Sequence, residues 1–399
     1  MNRRPCWVEI STGSFQNNYQ ILVQTCGADA VEALPVELLA IVKADAYGHG
    51  LALCAPAAVR AGARWLGVTS VEEGAAARAL CPEVEILVIG GPFLGQGAEV
   101  VAHRLTAVVW QDWQLDELED AARAAQCEGA TVPVHLELDT GMSRQGVGAG
   151  ELEQILARLS DRDSALRISG LMTHLYAADE SDGEATREQL ELTVRMVERV
   201  LTAGLKPEWL HVGNSAAVLA GSVPRALLAI CDRFRLKAMA RPGLALFGLA
   251  PEFLPDEPEV VAELRGRLRR VLEWKTRVVS VRSVEPGRVV GYNGTFVATE
   301  PMRLALLAVG YADGLNRALS NRGSVLIGGQ RAPIVGRISM DQTVADVTGI
   351  PGVVAGDEVV LLGRQGSESI TAEEHARWAG TIPWEIFTSI TDRVERISV

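Results

Sequence analysis

The chain has 399 residues, 48% of them hydrophobic and 22% charged, which suits a soluble globular protein with a substantial core. At roughly 100–200 residues per domain, the length predicts two domains. Fifty acidic residues against 38 basic ones leave a net charge of −12, which argues against a duplex nucleic-acid binder and its basic face. In chain order, short apolar runs then recur. They are LLAIVKA at 38–44, WLGVTS at 65–70, EILVIGG at 85–91, TAVVW at 106–110, VPVHLELDT at 132–140, RISGLMTH at 167–174, WLHVGNS at 209–215 and LKAMARPG at 236–243. Ala- and Glu-rich helical stretches separate most of them, such as VEEGAAARAL, WQLDELEDAARAA and GELEQILARLS. Repeated strand–helix alternation predicts parallel βαβ units. Eight near-regular units favour a closed (β/α)8 TIM-type barrel over a doubly wound open sheet. After Gly248, the Pro- and acid-rich PEFLPDEPEV reads as a linker. Beyond it, TRVVSVRSV, RLALLAVG, SVLIGG, RAPIVGRIS, DEVVLLG and RVERISV alternate as strands of a mostly antiparallel β domain, with one short helix near TAEEHARWAG. The expected boundaries are 12–248 for the barrel and 249–399 for the β-rich domain, with the N-terminal strand 1–11 joining the latter.

No apolar run approaches the ~18 residues of a bilayer span, and MNRRPCWVEI carries no signal-peptide core, so a cytoplasmic protein without a membrane partner is expected. The six cysteines (Cys6, Cys26, Cys54, Cys81, Cys127, Cys231) form no CxxC pair and read as core residues or free thiols rather than a disulfide framework. No HExxH or His/Cys cluster at zinc spacing occurs, so no metal is expected. GPFLGQGAEV does not complete GxGxxG, no Walker A sequence is present, and GNSAA is not a GxSxG elbow.

Lysine usage singles out one candidate. The chain has four lysines against 34 arginines, and Lys206, Lys237 and Lys275 lie among loop or charged neighbours. Lys43 instead ends the apolar strand LLAIV and opens the Gly-rich KADAYGHG. The C-terminal rim of a barrel is where this fold carries its chemistry. A partly desolvated amine there has a depressed pKa, as a Schiff-base nucleophile requires; a rim lysine that merely snorkels is the bland alternative. Other strand ends also carry capable groups. Arg144 follows the fifth strand and His174 ends the sixth; His211, Asn214 and Ser215 follow the seventh, and Arg241 and Gly243 the eighth. Strand alternation sends His135, Glu137 and Asp139 into the barrel, and Arg144, after a turn at Gly141, is the expected partner of Glu137. Structural pairing of Glu137 with another group is the alternative.

These motifs together resemble one family. AIVKADAYGHG is similar to the pyridoxal-phosphate lysine signature of alanine racemases, and LDTGMSRQG, GLMTHLYAADE, HVGNSAA, ARPGLALFG, GYNGTF, VGYADG and GRISMDQ follow in the family's order. The resemblance runs from WVEIS to the C-terminus. It implies a homodimeric racemase that interconverts L- and D-alanine and supplies D-alanine for peptidoglycan. Lys43 forms the internal aldimine with pyridoxal 5′-phosphate and is one of two acid/base groups; Tyr292, from the other subunit, is the second. Tyr47 and Ser215, with the backbone amides of Gly243 and Leu244, hold the phosphate, with Asn214 nearby. Arg241 faces the pyridine nitrogen, and His174 and His211 lie in the surrounding network. Arg144 meets the cofactor O3′ side and the substrate carboxylate, while Tyr311, Met340 and Asp341 of the partner line the mouth of the substrate pocket.

Three positions depart from the common pattern. Glu137 stands where many members carry a carbamylated lysine and is expected to supply that orienting negative charge directly. Trp384 stands where a tyrosine is usual beside the substrate pocket, and Phe247 replaces a frequent tyrosine. The tryptophan leaves a broader-specificity racemase, acting on serine or basic amino acids, as the alternative. A basic amino-acid decarboxylase is disfavoured by Arg241, since that chemistry wants an acid on the ring nitrogen.

Overall fold

The computed structural model describes residues 4–27, 36–125, 131–161 and 163–399. Two compact units arise from the chain: residues 13–46 with 54–269, and residues 1–12 with 47–53 and 270–399.

The first unit is built on eight parallel strands. Strand β1 (Cys6–Ile10) belongs to the second unit; β2 (Glu37–Ile41), β3 (Trp65–Val68), β4 (Glu85–Val88), β5 (Thr106–Val109), β6 (Val132–Glu137), β7 (Leu166–Met172), β8 (Trp209–His211) and β9 (Lys237–Ala240) close into a barrel. The eight apolar runs of the sequence are these eight strands. Most of their residues are buried on both faces, which is why they read as continuous runs rather than as alternating patterns. Closure needs small residues at the tightest points. A methyl group on Gly67 of β3 would lie 2.4 Å from Leu39 Cδ2 and 2.5 Å from Ile41 Cδ1 of β2. Phe247, just past the eighth strand, is 1% exposed and packs 5.4 Å from the Phe15 ring, centroid to centroid. A helix at Glu259–Arg267 follows the PEFLPDEPEV segment and belongs to the barrel unit.

The second unit is a nine-stranded, mostly antiparallel sheet centred on the long β10 (Leu272–Val284). β1 pairs antiparallel with β10 and parallel with the last strand, Glu395–Ser398. The expected short helix spans Ala372–Ala379, with a capping box between Thr371 and Glu374. A second short helix, Pro383–Thr388, carries Trp384. Cys6, Cys26, Cys54, Cys81 and Cys231 are buried free thiols, and Cys127 lies outside the described residues. No described helix is long and apolar enough to cross a membrane.

Candidate active site

The chain leaves β2 through an unusual turn. Ala44, Asp45, Ala46 and Tyr47 all adopt left-handed backbone angles, with φ between 50° and 54°. Each such non-glycine residue costs roughly 1–2 kcal/mol, so the turn directly after Lys43 stores strain that its surroundings must hold. Part of the hold is Glu73. One carboxylate oxygen accepts from the Ala44 amide at 2.6 Å and the other from the Thr69 amide at 2.8 Å. Ser70 Oγ in turn accepts from the Glu73 amide at 3.3 Å. The sequence S-x-x-E at 70–73 would suggest an ordinary capping box, but the carboxylate straps the rims of β2 and β3 together instead.

Lys43 is half-buried and has no hydrogen bond or ion pair with any described residue. The other lysines on strands differ: Lys237 pairs with Glu208, and Lys275 with Glu9 and Glu273. Burial lowers the Lys43 pKa, and the charges of Arg144 and Arg241 lower it further, against the opposing pull of Glu73. A lowered pKa makes the neutral, nucleophilic form of the amine easier to reach.

Arg241, just past β9, is 5% exposed, and its guanidinium pairs with no carboxylate among the described residues. It donates to the backbone carbonyls of His211 at 2.8 Å and Thr173 at 2.7 Å. Its two terminal nitrogens also face His211 Nδ1 and His174 Nδ1, each at 3.3 Å. Burial lowers its pKa to about 10, so it stays protonated at neutral pH. Burial, reinforced by Arg241, lowers His174 to about 3 and leaves His211 well below its ordinary range, so both imidazoles are neutral acceptors.

Beyond β8 and β9 a cradle of backbone amides forms. Ser215 Oγ accepts from the Gly243 amide at 3.0 Å and the Ala245 amide at 3.1 Å. A hydroxyl that accepts two N–H bonds keeps its own proton to donate, and it can donate it to an anion. Asn214 accepts from the Ala217 amide at 3.2 Å, and Gly213 takes a φ of 95° that brings the chain round the rim. Leu244 opens the short 3-10 turn Leu244–Phe247 in the same place. The loops after the seventh and eighth barrel strands are the frequent phosphate site of this fold. Tyr47 is grouped with the second unit; burial pushes its hydroxyl up to about 12.

Glu137 is buried at the end of β6, but its hydrogen-bond partner is Gln145, not Arg144. The reason lies in the loop. Asp139 Oδ1 accepts from the amides of Gly141 and Ser143, and Val147 returns to pair beside Leu138. That return places Gln145 over the carboxylate and leaves Arg144 exposed at the turn. Gly146 makes the approach possible, since a methyl there would stand 2.8 Å from the Asp139 nitrogen. Burial raises the Glu137 pKa, while Gln145, Arg241 and Arg144 pull it back. Glu137 therefore acts on the arginines through space. His135, two residues earlier, was legible as an interior residue; its bond to His211, 2.8 Å between Nδ1 and Nε2, was not.

The remaining candidates lie in the sheet unit. Tyr292 sits in the turn Tyr292–Gly294 and is 67% exposed, while Tyr311 and Met340 are 42% and 53% exposed. The Tyr311 and Ala312 amides donate to the carbonyls of Ser339 and Met340, so these two segments form one surface. Asp341 on that surface pairs with Arg393 at 2.7 Å, and the fully buried Asp313 beneath it accepts from Arg4 at 2.7 Å.

Comparison with known proteins adds to this geometry. The family profile for the alanine racemase N-terminal domain matches residues 10–251, and that for the alanine racemase C-terminal domain matches residues 271–398. The chain is similar to the alanine racemase of Sorangium cellulosum, 39% identical over 400 residues and 98% of each chain. Among solved structures, it is similar to the alanine racemase of D-cycloserine-producing Streptomyces lavendulae, with a TM-score of 0.87, 32% identity and coverage of 100% of this chain and 98% of the other. It is also similar to the Bartonella henselae alanine racemase with covalently bound pyridoxal phosphate, with a TM-score of 0.80, 28% identity and 99% of each chain covered.

Proposed function

Because the chain belongs to the alanine racemase family, we propose that it interconverts L- and D-alanine with pyridoxal 5′-phosphate, by a two-base mechanism that uses Lys43 and Tyr292. The observation that carries this reading is Lys43, an amine on a strained barrel rim, unpaired among the described residues and depressed in pKa beside Arg241 and Arg144. The residues fit the cofactor. The Ser215 hydroxyl, fixed by the Gly243 and Ala245 amides and left with its proton to donate, suits its phosphate together with the Leu244 amide, the family pattern adds Gly243, Asn214 and Tyr47, and Lys43 suits its carbonyl carbon.

Pyridoxal phosphate, when bound, supplies the electron sink that makes the amino-acid Cα–H acidic. The chain supplies the rest. Lys43 Nζ holds the group and moves the proton on one side of Cα. Tyr292 Oη, from the partner subunit of a homodimer, moves it on the other side, because inversion needs a base on each face. Arg241 would face the ring nitrogen of the bound group. A guanidinium with its pKa at about 10 would donate a hydrogen bond there without giving up its proton. His174 and His211, neutral, hold Arg241 in place. Arg144 takes the substrate carboxylate and Glu137 supplies the orienting negative charge behind it. Tyr311, Met340 and Asp341 of the partner subunit line the mouth of the substrate pocket. The enzyme then works in the cytoplasm and supplies D-alanine for cell-wall peptidoglycan.

Circular dichroism of the holoenzyme with each enantiomer of alanine, serine, lysine and arginine tests the reading. Alanine should lose its optical signal fastest from both sides, and Lys43→Ala should lose both the activity and the bound visible chromophore. Faster loss with lysine or arginine, or a Lys43→Ala protein that keeps its chromophore covalently, would overturn it.

A further inference from the structure

The interior of the barrel holds a second histidine that this mechanism does not use. His135, on β6, is fully buried, and its Nδ1 lies 2.8 Å from His211 Nε2. We infer that His135 is a positioning residue that accepts the ring proton of His211 and so holds the His211 imidazole as an acceptor for Arg241. This rests on the racemase reading for its consequence, but the proton arrangement itself follows from the donor and acceptor inventory alone.

A guanidinium only donates. Arg241 Nη1 stands 3.3 Å from His211 Nδ1, so that nitrogen must offer a lone pair. His211 is wholly buried and neutral, and its one ring proton therefore sits on Nε2. That N–H points at His135 Nδ1, which must accept, and the proton of His135 falls on its own Nε2. There it meets no partner: His135 Nε2 is a buried polar atom without a hydrogen bond among the described residues. The chain of bonds runs one way, from Arg241 to His211 to His135, and ends on an orphaned donor. The reverse direction would place the His211 Nδ1 proton against a proton of Arg241.

The niche is shaped for this ring. A methyl on Gly170 of β7 would meet the His135 imidazole at 2.6 Å, and the Trp65 ring lies 5.7 Å away, centroid to centroid. A space-filling role would be served by an apolar side chain, which would bring no orphaned ring N–H of its own, as His135 Nε2 is. An acceptor at Nδ1 is what an apolar side chain could not provide. Without it, the Nε2 proton of His211 becomes the orphan, and the ring is no longer held in the plane that aims Nδ1 at Arg241. Arg241 then loses one of its four acceptors and shifts from the position proposed for it at the cofactor ring nitrogen.

The test is two-bond proton–nitrogen correlation of the holoenzyme labelled with 15N-histidine, with His211 assigned by its loss in His211→Asn. In the parent, His211 and His135 should both be protonated on Nε2. His135→Asn, whose side-chain oxygen falls where Nδ1 was, should keep His211 in that tautomer. His135→Leu should leave the His211 proton on Nε2 but move its nitrogen resonances as that N–H loses its acceptor, displace the absorption band of the bound cofactor and lower kcat with KM retained. A parent protein with His211 protonated on Nδ1 would overturn the inference with no substitution needed. So would a folded His135→Leu protein whose His211 resonances, cofactor band and kcat match the parent's. Should the parent show the inferred tautomers but racemise no amino acid, the functional reading fails and the proton arrangement stands.

Discussion

Glu137 and Arg241 are both buried in the barrel unit, and each is the other's principal counter-charge. The carboxylate raises the arginine's pKa, and the arginine lowers the carboxylate's. Truncating one buried charge leaves its partner uncompensated, which costs more than the pair is worth. Glu137→Gln keeps the shape and the bond from Gln145 but removes the charge. It should raise KM for the amino acid by about tenfold, corresponding to roughly 1.4 kcal/mol, with activity in the parent independent of added bicarbonate. Steady-state kinetics of the two proteins check this; equal KM values would reduce Glu137 to a structural role. The buried histidines carry a second expectation. His135 and His174 are lowered to about 3 and His211 lies well below its ordinary range, all first by burial. Unfolded histidines take up protons below pH ~6.5, whereas these three refuse them when folded. Their contribution to stability is therefore complete above that pH and is lost as pH falls towards 3. Each histidine gives a slope of about 1.4 kcal/mol per pH unit in that window. Urea midpoints at pH 7.5, 6.5 and 5.5 should fall steeply over the last interval, before most carboxylates titrate. A flat profile would mean that the imidazoles are solvated.

At the scale of elements, the turn after β2 is where strain and chemistry coincide. Glu73 holds it from the next strand's rim with two charge-assisted bonds, each worth about 1.5–3 kcal/mol. Glu73→Ala should lower the unfolding free energy by roughly 3 kcal/mol and reduce kcat, as Lys43 loses its fixed origin. Glu73→Gln should restore one of the two bonds and part of the loss. Thermal unfolding with kinetics on the same samples decides it, and a full Tm in Glu73→Ala would show that the left-handed turn holds itself. The eight barrel strands were legible because burial on both faces makes them near-continuous apolar runs with polar residues at their ends. The left-handed turn was not legible, since Ala44, Asp45, Ala46 and Tyr47 include no glycine to announce it. Nor was the partner of Glu137: the carboxylate's burial follows from strand alternation, whereas the choice of Gln145 over Arg144 is made by the Asp139 turn and the return of Val147. The His135–His211 bond spans 76 residues of sequence and two strands, a pairing that only barrel closure creates.

At the scale of the molecule, the proposed acid/base pair is divided between the two units. Lys43 belongs to the barrel unit, and Tyr292, 67% exposed, to the sheet unit. In the proposed two-fold dimer each subunit would lend its Tyr292 to the other's Lys43, forming two composite sites. The family pattern in the sequence implies that exchange, which strand and helix periodicity alone does not reach. The division makes a specific expectation. Lys43→Ala and Tyr292→Phe proteins should each be inactive, because each lacks one base in both sites. After subunit exchange, a mixed dimer joins the intact Lys43 of one subunit to the intact Tyr292 of the other in one of its two sites. Random mixing makes half of the dimers mixed, so activity should return to roughly a quarter of the parent's. Subunit exchange is followed independently with a mass or fluorescent label on one variant. Heterodimers that form without any return of activity would place both bases in the same chain, and a monomer with full activity would do so without the need for mixing.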